Sequence, residues 1–423
     1  MALLHGSPGP VSVTGSSVAK VGVATAVTAV CGYLVLYLAA RDLDPAGFSV
    51  FAVFWGAFGL VSGAAFGLLQ QTTREIRLAA TIPAGSPSTT RPLQLGIAVG
   101  VLTAAVLAAT ALWWGPHVFT EARTLSVLLL AGGLAGFCVH STLLGVLAGS
   151  GRWSQYGALM VTDAVLRVAV AAATVLAGWG LVGFLWATVA GAASWLALLL
   201  LSPSTRAAAA LVAHESAGSF LRGAAHAVAA AGASAILVMG FPVLLKATAG
   251  DLGATGGVVI LAVTLTRAPL LVPLTAMQGN LIAHFVDQRS HRVRALAAPA
   301  ALVAACGAVC VVAAGLAGPW LLRVGFGPDY VAPGSLLAWL TAGAVAIALL
   351  TVTGAATVAA ALHRAYSLGW VSATVASGLL LTLPVALETR TVVALLCGPL
   401  VGIGVHITAL TYAARGPSTE ETT

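Results

Sequence analysis

Residues 124–148 read TLSVLLLAGGLAGFCVHSTLLGVLA, a run without a single Asp, Glu, Lys or Arg. A helix needs about 20 mainly apolar residues to cross a bilayer, so this run predicts a transmembrane helix. Of all 423 residues, 59% are hydrophobic and only 7% are charged. Soluble domains carry about 25% charged residues, and disordered chains are low in hydrophobicity. The sequence therefore excludes both classes and predicts an all-α polytopic membrane protein.

Similar apolar segments recur along the chain, separated by Gly, Pro and charged residues. They predict about twelve transmembrane helices, at 18–40, 47–70, 94–114, 124–148, 154–177, 180–201, 224–246, 253–278, 295–317, 334–361, 366–387 and 391–413. A polar inter-lobe linker at 202–222 divides them into an N-terminal six-helix lobe at 18–201 and a C-terminal six-helix lobe at 223–413. Two tails, at 1–17 and 414–423, complete the predicted organisation.

The distribution of basic residues predicts the orientation. With the N-terminus inside, twelve of the 19 Lys and Arg residues fall in inner segments, five fall in outer segments, and two (Arg167 and Arg267) lie within spans. The positive-inside rule then predicts a multi-pass protein of the cell (cytoplasmic) membrane with both termini cytoplasmic. In a membrane protein the location of the basic residues matters more than the net charge, so the value of +7 does not indicate nucleic-acid binding. The expected partner is the lipid bilayer.

Short matches relate the two halves of the chain. The segment DLDPAG at 42–47 recurs as DLGATG at 251–256, and Arg152 with Gly157 recurs as Arg364 with Gly369. Six spans return the chain to its starting side, so the two lobes share one orientation. We therefore expect two pseudo-symmetric six-helix bundles related by an axis along the membrane normal.

Three segments resemble a known family. The segments LAARDLDPAGF at 38–48, FGPDY at 326–330 and AAALHR at 359–364 are similar to a first hairpin, a loop and a span end of Wzx-type polysaccharide biosynthesis proteins. Hydropathy and span count match over nearly the whole chain. The order of glycine and aromatic residue at 47–48 is inverted relative to the family pattern, and the enrichment in Lys, Phe and Tyr is missing, which leaves the subfamily open.

The resemblance implies a function. The Wzx-type family belongs to the MOP flippase superfamily, together with MATE exporters and lipid II flippases. It implies a MATE-like, two-lobe transporter that flips a lipid-linked (polyprenyl-pyrophosphate) oligosaccharide from the inner to the outer leaflet for cell-surface polysaccharide biosynthesis. The implied partners are the lipid-linked glycan, a polysaccharide polymerase and glycosyltransferases, and no cofactor is expected.

Arg267 lies near the middle of the predicted eighth span, at least ~16 Å from either end at 1.5 Å per residue. An ionisable group at that depth costs ~2.5–3.5 kcal/mol on insertion scales and indicates a functional site by default. Pro269 and Pro273 should kink the helix and free backbone carbonyls beside a cavity. Since a guanidinium binds a diphosphate bidentately, Arg267 is a candidate substrate-binding residue. The alternative is an architectural contact with a helix-end carbonyl or an acidic residue.

The predicted fifth span carries Asp163 and Arg167 four residues apart, in the order that favours an ion pair on a helix. Asp163 is a candidate site for a coupling ion, and Arg167 is a second candidate for binding the anionic head group. The alternative is a mutually neutralised pair. His140 is a further coupling-ion candidate because histidine is the side chain whose ordinary titration range includes neutral pH, although a buried His also serves as a hydrogen-bond bridge. His406, in the twelfth span, has the same two interpretations.

Four amides occupy matching positions in the two halves. Gln70 and Gln71, and likewise Gln278 and Asn280, are predicted at cytoplasmic span ends, where they line an inner gate and contact sugars, or anchor the interface. The sequence shows no metal-ligand motif, no phosphate-binding glycine loop and no nucleophile elbow. It therefore does not predict an enzyme.

Two alternatives to a flippase are kept. A cation-coupled MATE-like multidrug exporter should carry acidic residues in its N-terminal cavity, and Asp163 is the only such residue in the predicted N-terminal spans. A membrane-embedded glycan-handling enzyme or a non-transporting scaffold is the other alternative. An enzyme of that kind needs long outer loops, whereas those predicted here are short.

Overall fold

The computed structural model describes residues 15–82, 90–288 and 292–415. The two predicted tails therefore lie almost wholly outside the described residues. The helices are α1 (Gly15–Asp42), α2 (Pro45–Ala79), α3 (Pro92–Ala109), α4 (Ala111–Val118), α5 (Arg123–Gly149), α6 (Trp153–Ala177), α7 (Gly180–Ala190), α8 (Ser194–Leu201), α9 (Pro203–Ala209), α10 (Ala217–Val238), α11 (Phe241–Ala249), α12 (Gly253–Ala276), α13 (Gln278–Asp287), α14 (Arg292–Ala295), α15 (Ala297–Phe326), α16 (Gly334–Ala359), α17 (His363–Leu381) and α18 (Leu387–Arg415).

Eleven helical segments in the described part of the chain are long and apolar enough to cross a membrane. They correspond to eleven of the predicted spans, so the expected polytopic all-α class is confirmed. The predicted span at 366–387 corresponds to α17, which is not among the eleven. Its first turn contains His363 and Arg364, which lower its mean hydropathy. This helix packs along α18 within the second half.

Two spans predicted as continuous, the third and the seventh, are interrupted, and those predictions were wrong in detail. The third is divided between α3 and α4 at Thr110. The sixth is confirmed as one segment, Gly180–Leu201, in which a 3-10 turn at Gly191–Ala193 separates α7 from α8. The seventh ends at Val238 and resumes at Phe241. Pro242 explains that break, because proline has no N–H to offer the carbonyl of Val238 four residues earlier.

The turn between α1 and α2 shows why the first repeated segment has its sequence. Asp44 caps α2 by accepting a hydrogen bond from the Gly47 amide at 2.8 Å, and Pro45 occupies the first helical position, where no donor is needed. The matching segment at 251–256 lies at the turn between α11 and α12, but its cap position makes no side-chain hydrogen bond. The two copies thus agree in place but not in capping.

Helix α2 is the centre of the molecule. It packs against α5 within the first half and against α10 and α12 of the second half. Three of its glycines form a seam on that interface: Gly56 meets Pro242, Gly63 meets Ala235, and Gly67 meets the backbone at Val228. A Cβ on Gly63 would lie 2.7 Å from the Ala235 Cβ, so only glycine permits this approach.

The outer surface is apolar, as a bilayer requires. Helix α15 has only Gly307 and Leu322 buried, and Val309, Leu316 and Trp320 are all more than half exposed. Such a surface would aggregate in water but is satisfied by acyl chains. The segment predicted as a linker at 202–222 contains α9 and the first residues of α10.

Candidate functional site

Arg267 is buried in α12, with 7% of its surface exposed. Its Nη1 donates to the backbone carbonyls of Val238, at 3.0 Å, and Leu237, at 3.4 Å. The Val238 carbonyl is the one that Pro242 leaves without an intrahelical partner. Arg267 therefore satisfies the broken end of α10, where the helix dipole also favours a positive charge.

Two further groups surround this guanidinium. Its Cζ lies 5.1 Å from the centre of the Phe241 ring, which attracts the cation through its π face. Tyr33 of α1 is close enough to interact with it electrostatically. Arg267 thus lies where both halves of the chain and an interrupted helix meet.

Two of the three guanidinium nitrogens of Arg267 make no hydrogen bond to the described residues. Nε and Nη2 are buried and have no hydrogen-bond partner among the described residues, and no acidic side chain there forms an ion pair with this residue. Nε–H and Nη2–H project in parallel from one edge of the guanidinium, which is the edge that binds carboxylate or phosphate bidentately. The Arg267 side chain therefore combines both interpretations: Nη1 binds the helix-end carbonyls, and Nε and Nη2 remain available to a ligand.

Arg167 provides a matched contrast in the first half. It too donates to the carbonyl of a helix next to a break, that of Thr188 before the 3-10 turn, and its Cζ lies 5.1 Å from the centre of a phenylalanine ring, that of Phe58. However, Nη2 and Nε bond to the two oxygens of Asp163 at 2.9 and 3.1 Å. Its binding edge is occupied, so the structure favours the neutralised-pair interpretation for Asp163 and Arg167.

Gly191 makes room for that ion pair. A Cβ at this position would lie 2.6 Å from Arg167 Nε and closer still to Asp163 Oδ1. The 3-10 turn begins at Gly191, and because glycine has no side chain, its backbone can pack directly against the ion pair. This accounts physically for the 3-10 turn within the sixth span.

His140 and His406 both form hydrogen bonds inside their own halves. His140 Nδ1 lies 3.0 Å from the Ser194 hydroxyl, and its ring stacks on Phe137. His406 Nδ1 lies 3.0 Å from the Thr353 hydroxyl, and Nε2 lies 3.2 Å from the Tyr366 carbonyl. Both therefore serve as bridges between helices. A coupling role for His140 stays a prediction.

The predicted gate amides do not lie at matching helix ends. Helix α2 continues through Gln70 and Gln71 to Ala79, so placing them at a span end was wrong. Gln70 is exposed, while Gln71 is 5% exposed and packs on α10. Asn280 is exposed on α13, and the side chain of Gln278 lies outside the described residues. Sugar contacts by any of the four stay a prediction.

The predicted outer end of the interface between the halves is closed by aromatic contacts. The Tyr330 hydroxyl donates to the Leu43 carbonyl at 3.4 Å, and its ring lies 6.1 Å from that of Phe48. Burial, together with the nearby carboxylates of Asp44 and Asp329, raises the pKa of Tyr330, so the phenol stays neutral and able to donate.

An apolar groove of about 470 Å³ opens on the first half, between α5 and the segment Gly180–Leu201. Its walls include Leu128, Gly132 and Trp186, and none of the predicted site residues line it. No group of three or more His, Cys, Asp or Glu side chains in residues 15–82, 90–288 and 292–415 is arranged to hold a metal ion.

Comparison with known proteins places the chain in a family. An uncharacterized protein of Mycobacterium bovis, Mb3654, is 68% identical over 400 residues, which cover 94% of this chain and 93% of that protein. The chain belongs to the same family as this mycobacterial protein. No model of a described protein family matches it.

Solved structures show which fold this family has. A multidrug resistance MATE family transporter of the MOP superfamily, in an inward-facing conformation, gives a TM-score of 0.66 at 16% identity, over 91% of this chain and 96% of that one. A MOP superfamily transporter from Pyrococcus furiosus, described as having a binding pocket of reverse polarity that suggests a different function, gives 0.64 at 16% identity, over 94% and 96%. The expected MATE-like fold is confirmed, and these neighbours are transporters rather than enzymes.

Sequence reasoning missed two buried charged residues. Glu75 is 4% exposed in the part of α2 beyond the predicted span, and Lys246 is 7% exposed at a small pocket that Asp251 and Ser49 also line. The spacing of Gln71 and Glu75, one helical turn apart, could have indicated that α2 continues. Nothing in the sequence near Lys246 indicates its burial.

Proposed function

We propose that this chain is a membrane transporter that flips an anionic, lipid-linked oligosaccharide from the inner to the outer leaflet by alternating access. The observation that carries the proposal is the open binding edge of Arg267. A buried guanidinium without an acidic partner costs several kcal/mol. An unpaired charged residue inside a membrane protein is therefore expected to have a functional role.

The chemistry of the edge selects the ligand class. Nε–H and Nη2–H match two oxygens of one phosphate, and a pyrophosphate carries enough charge to offset the desolvation of the guanidinium. A polyprenyl pyrophosphate also explains how substrate reaches this depth, because its chain stays in lipid while the head group enters between the lobes.

The comparisons support transport but leave the cargo open. The MOP fold is shared by a multidrug MATE transporter and by the Pyrococcus furiosus protein with its reversed pocket. A cation-coupled exporter is the competing proposal, favoured by the first of these neighbours and by the buried acid Asp163. Both oxygens of Asp163 are already bonded to Arg167, which makes this carboxylate a poor ligand for a coupling cation.

The test is translocation by purified protein in proteoliposomes. The probe is a polyprenyl pyrophosphate carrying a fluorescently labelled disaccharide, and an impermeant quencher reports the fraction exposed outside. We expect Arg267→Lys to lose about tenfold or more in rate because an ammonium lacks the parallel edge. Arg267→Ala should lose more.

Arg206 offers a matched control. Its Nη1 also donates to two helix-end carbonyls, those of Leu199 and Leu200 at 2.8 and 2.9 Å, but the residue is exposed. Arg206→Ala should leave translocation unchanged. Wild-type rates in Arg267→Ala would overturn the site. Ethidium efflux by cells expressing the chain, without glycan translocation, would establish the exporter instead.

A further inference from the structure

Lys246 is a buried lysine without a partner. It lies in α11 and is 7% exposed, and no carboxylate in the described part of the chain comes within ion-pair distance of it. Its ammonium also makes no hydrogen bond to any described residue. Burial removes water from a charge, so an ammonium that no oxygen contacts is costly to the fold. Lys246 therefore lacks a counter-charge, and a small ligand can supply one.

The side chain of Lys246 lines a cavity of about 20 Å³ at the predicted outer end of the interface. Both halves of the chain form its wall. Ser49 of α2 and Thr120, between α4 and α5, come from the first half, while Asp251 and Leu252 come with Lys246 from the second. One buried water needs roughly 10–15 Å³. The cavity therefore has room for one water molecule or one monatomic ion, but not for a lipid head group.

Two long helices begin beside this cavity. Thr120 lies three residues before Arg123, where α5 begins, and Leu252 is the N-cap residue of α12. Helix α5 has 27 residues and α12 has 24, and neither has a side-chain cap or an acidic residue in its first turn. The free amides and the positive end of the dipole at such a helix start favour an anion. The helix ends thus add to the positive charge of Lys246.

The acidic residues nearby do not neutralise this charge. Asp251 lines the cavity, but it is exposed and forms no ion pair with Lys246. Glu121 and Arg123, which flank the start of α5, are exposed and opposite in charge. Water and salt screen exposed charges well. At the buried wall of the cavity, Lys246 and the two helix starts therefore dominate, and the site favours an anion.

We propose that this cavity is a halide site, and that a chloride ion bound there joins the two halves while the outer end is closed. Lys246 supplies the opposite charge. The Thr120 hydroxyl is available to donate to the ion, whereas the Ser49 hydroxyl already donates to the Ala46 carbonyl at 2.7 Å. Because the ion contacts both halves, it stabilises the closed outer end and leaves when the halves separate. This role rests on the proposal that the halves move, but not on the identity of the cargo.

Binding is tested first with bromide, which replaces chloride and scatters X-rays anomalously. Crystals of the wild-type protein grown in bromide should show an anomalous peak beside Lys246 Nζ. In detergent solution, the unfolding midpoint should rise with chloride concentration and saturate, relative to gluconate at equal ionic strength. Lys246→Met removes the charge at similar side-chain length and should lose this rise. Lys20→Met, the same change at the chain's other lysine, which is exposed, is the matched control and should keep it.

Closure is tested by the distance between the halves at the outer end. Spin labels are placed at Asp42→Cys and Val331→Cys, two exposed positions next to the contact of Leu43 with Tyr330, in a variant whose five native cysteines are replaced by alanine. In proteoliposomes without substrate, we expect the short distance to dominate in chloride. A longer distance should gain population in gluconate, because the unpaired ammonium then destabilises the closed end. Lys246→Met should give the same distances in both salts.

Each result decides a separate part of the proposal. A bromide peak elsewhere but not at Lys246 overturns the site, and this experiment needs no variant that folds. A chloride-dependent midpoint that persists in Lys246→Met, or is lost in Lys20→Met, overturns the site as well. Bromide at Lys246 with spin-label distances that do not depend on the salt overturns the role in closure. Failure of glycan translocation with an intact chloride response overturns the proposed cargo and not the halide site.

Discussion

His140 Nδ1 lies 3.0 Å from the Ser194 hydroxyl, and the second lobe contains the same bond with its two side chains exchanged. There, Thr353 takes the place of His140 and His406 takes the place of Ser194, again at 3.0 Å. Residues 353 and 406 lie 213 and 212 positions after residues 140 and 194. The second interval equals that between Arg152 and Arg364, and the first differs from it by one residue, so the hydrogen bond fits the predicted internal repeat.

Removing the hydroxyl from either bond should destabilise the protein to a similar extent. We expect Ser194→Ala and Thr353→Val each to cost about 1–3 kcal/mol, because each leaves a buried imidazole nitrogen without its partner. Thermal and denaturant unfolding in detergent measure the change. Thr408→Val removes an exposed hydroxyl that bonds only within its own helix, and it should have little effect. Equal stability of all three variants would show that the bonds contribute nothing.

The ion pair of the first lobe should behave as a structural unit. Asp163→Asn leaves Arg167, whose side chain is only 12% exposed, without its anion, which is expected to cost about 3–5 kcal/mol. The double substitution Asp163→Leu with Arg167→Met removes both charges and should recover most of that loss. Unfolding of the two singles and the double forms a thermodynamic cycle. A double variant that is stable but unable to translocate glycan would show that the pair has a functional role after all.

The positions of the membrane spans could be predicted from the sequence, because a segment crosses the bilayer only if its composition is mainly apolar. The sequence was not sufficient for the contacts at the irregular helix positions. The 3-10 turn at Gly191 leaves room for the ion pair beneath it, and Arg267 donates to the Val238 carbonyl that Pro242 leaves without a partner. Both are contacts between distant segments, although Pro242 itself marks the break before Phe241 in the sequence. Glu75 was missed for a related reason. Hydropathy falls after Gln70, but helical hydrogen bonding continues to Ala79, supported by packing on α10.

The burial of Arg267 could be expected from its position in an apolar run, and a contact with a helix-end carbonyl was among the alternatives. Its role in binding stays a prediction. Which of its nitrogens remain available could not be predicted, because this depends on the angle between α12 and α10. Similarly, the spacing of Asp163 and Arg167 indicated a pair, but only coordinates show that both carboxylate oxygens are occupied.

The aromatic contact at the predicted outer end should act as a second closure. Tyr330→Ala removes the ring that packs on Phe48, so the outer end should open more often. Labelling of Ser49→Cys by an impermeant thiol reagent reports this opening, because Ser49 is 4% exposed. We expect faster labelling in Tyr330→Ala and only a small change in Tyr330→Phe, which keeps the ring and loses one long hydrogen bond. Equal rates in all three would place the closure elsewhere.

Arg267 offers the sharpest separation of stability from function. If this residue serves only to cap the end of α10, Arg267→Met should destabilise the protein, since the Val238 carbonyl loses its donor. If its free edge awaits an anion, the wild-type protein already bears the cost of a buried charge with two unpartnered nitrogens. Replacing that charge with an apolar side chain of similar length is then neutral or stabilising. We therefore expect Arg267→Met to unfold at or above the wild-type midpoint while losing glycan translocation. A lowered midpoint with translocation retained would mean that the guanidinium is an architectural cap.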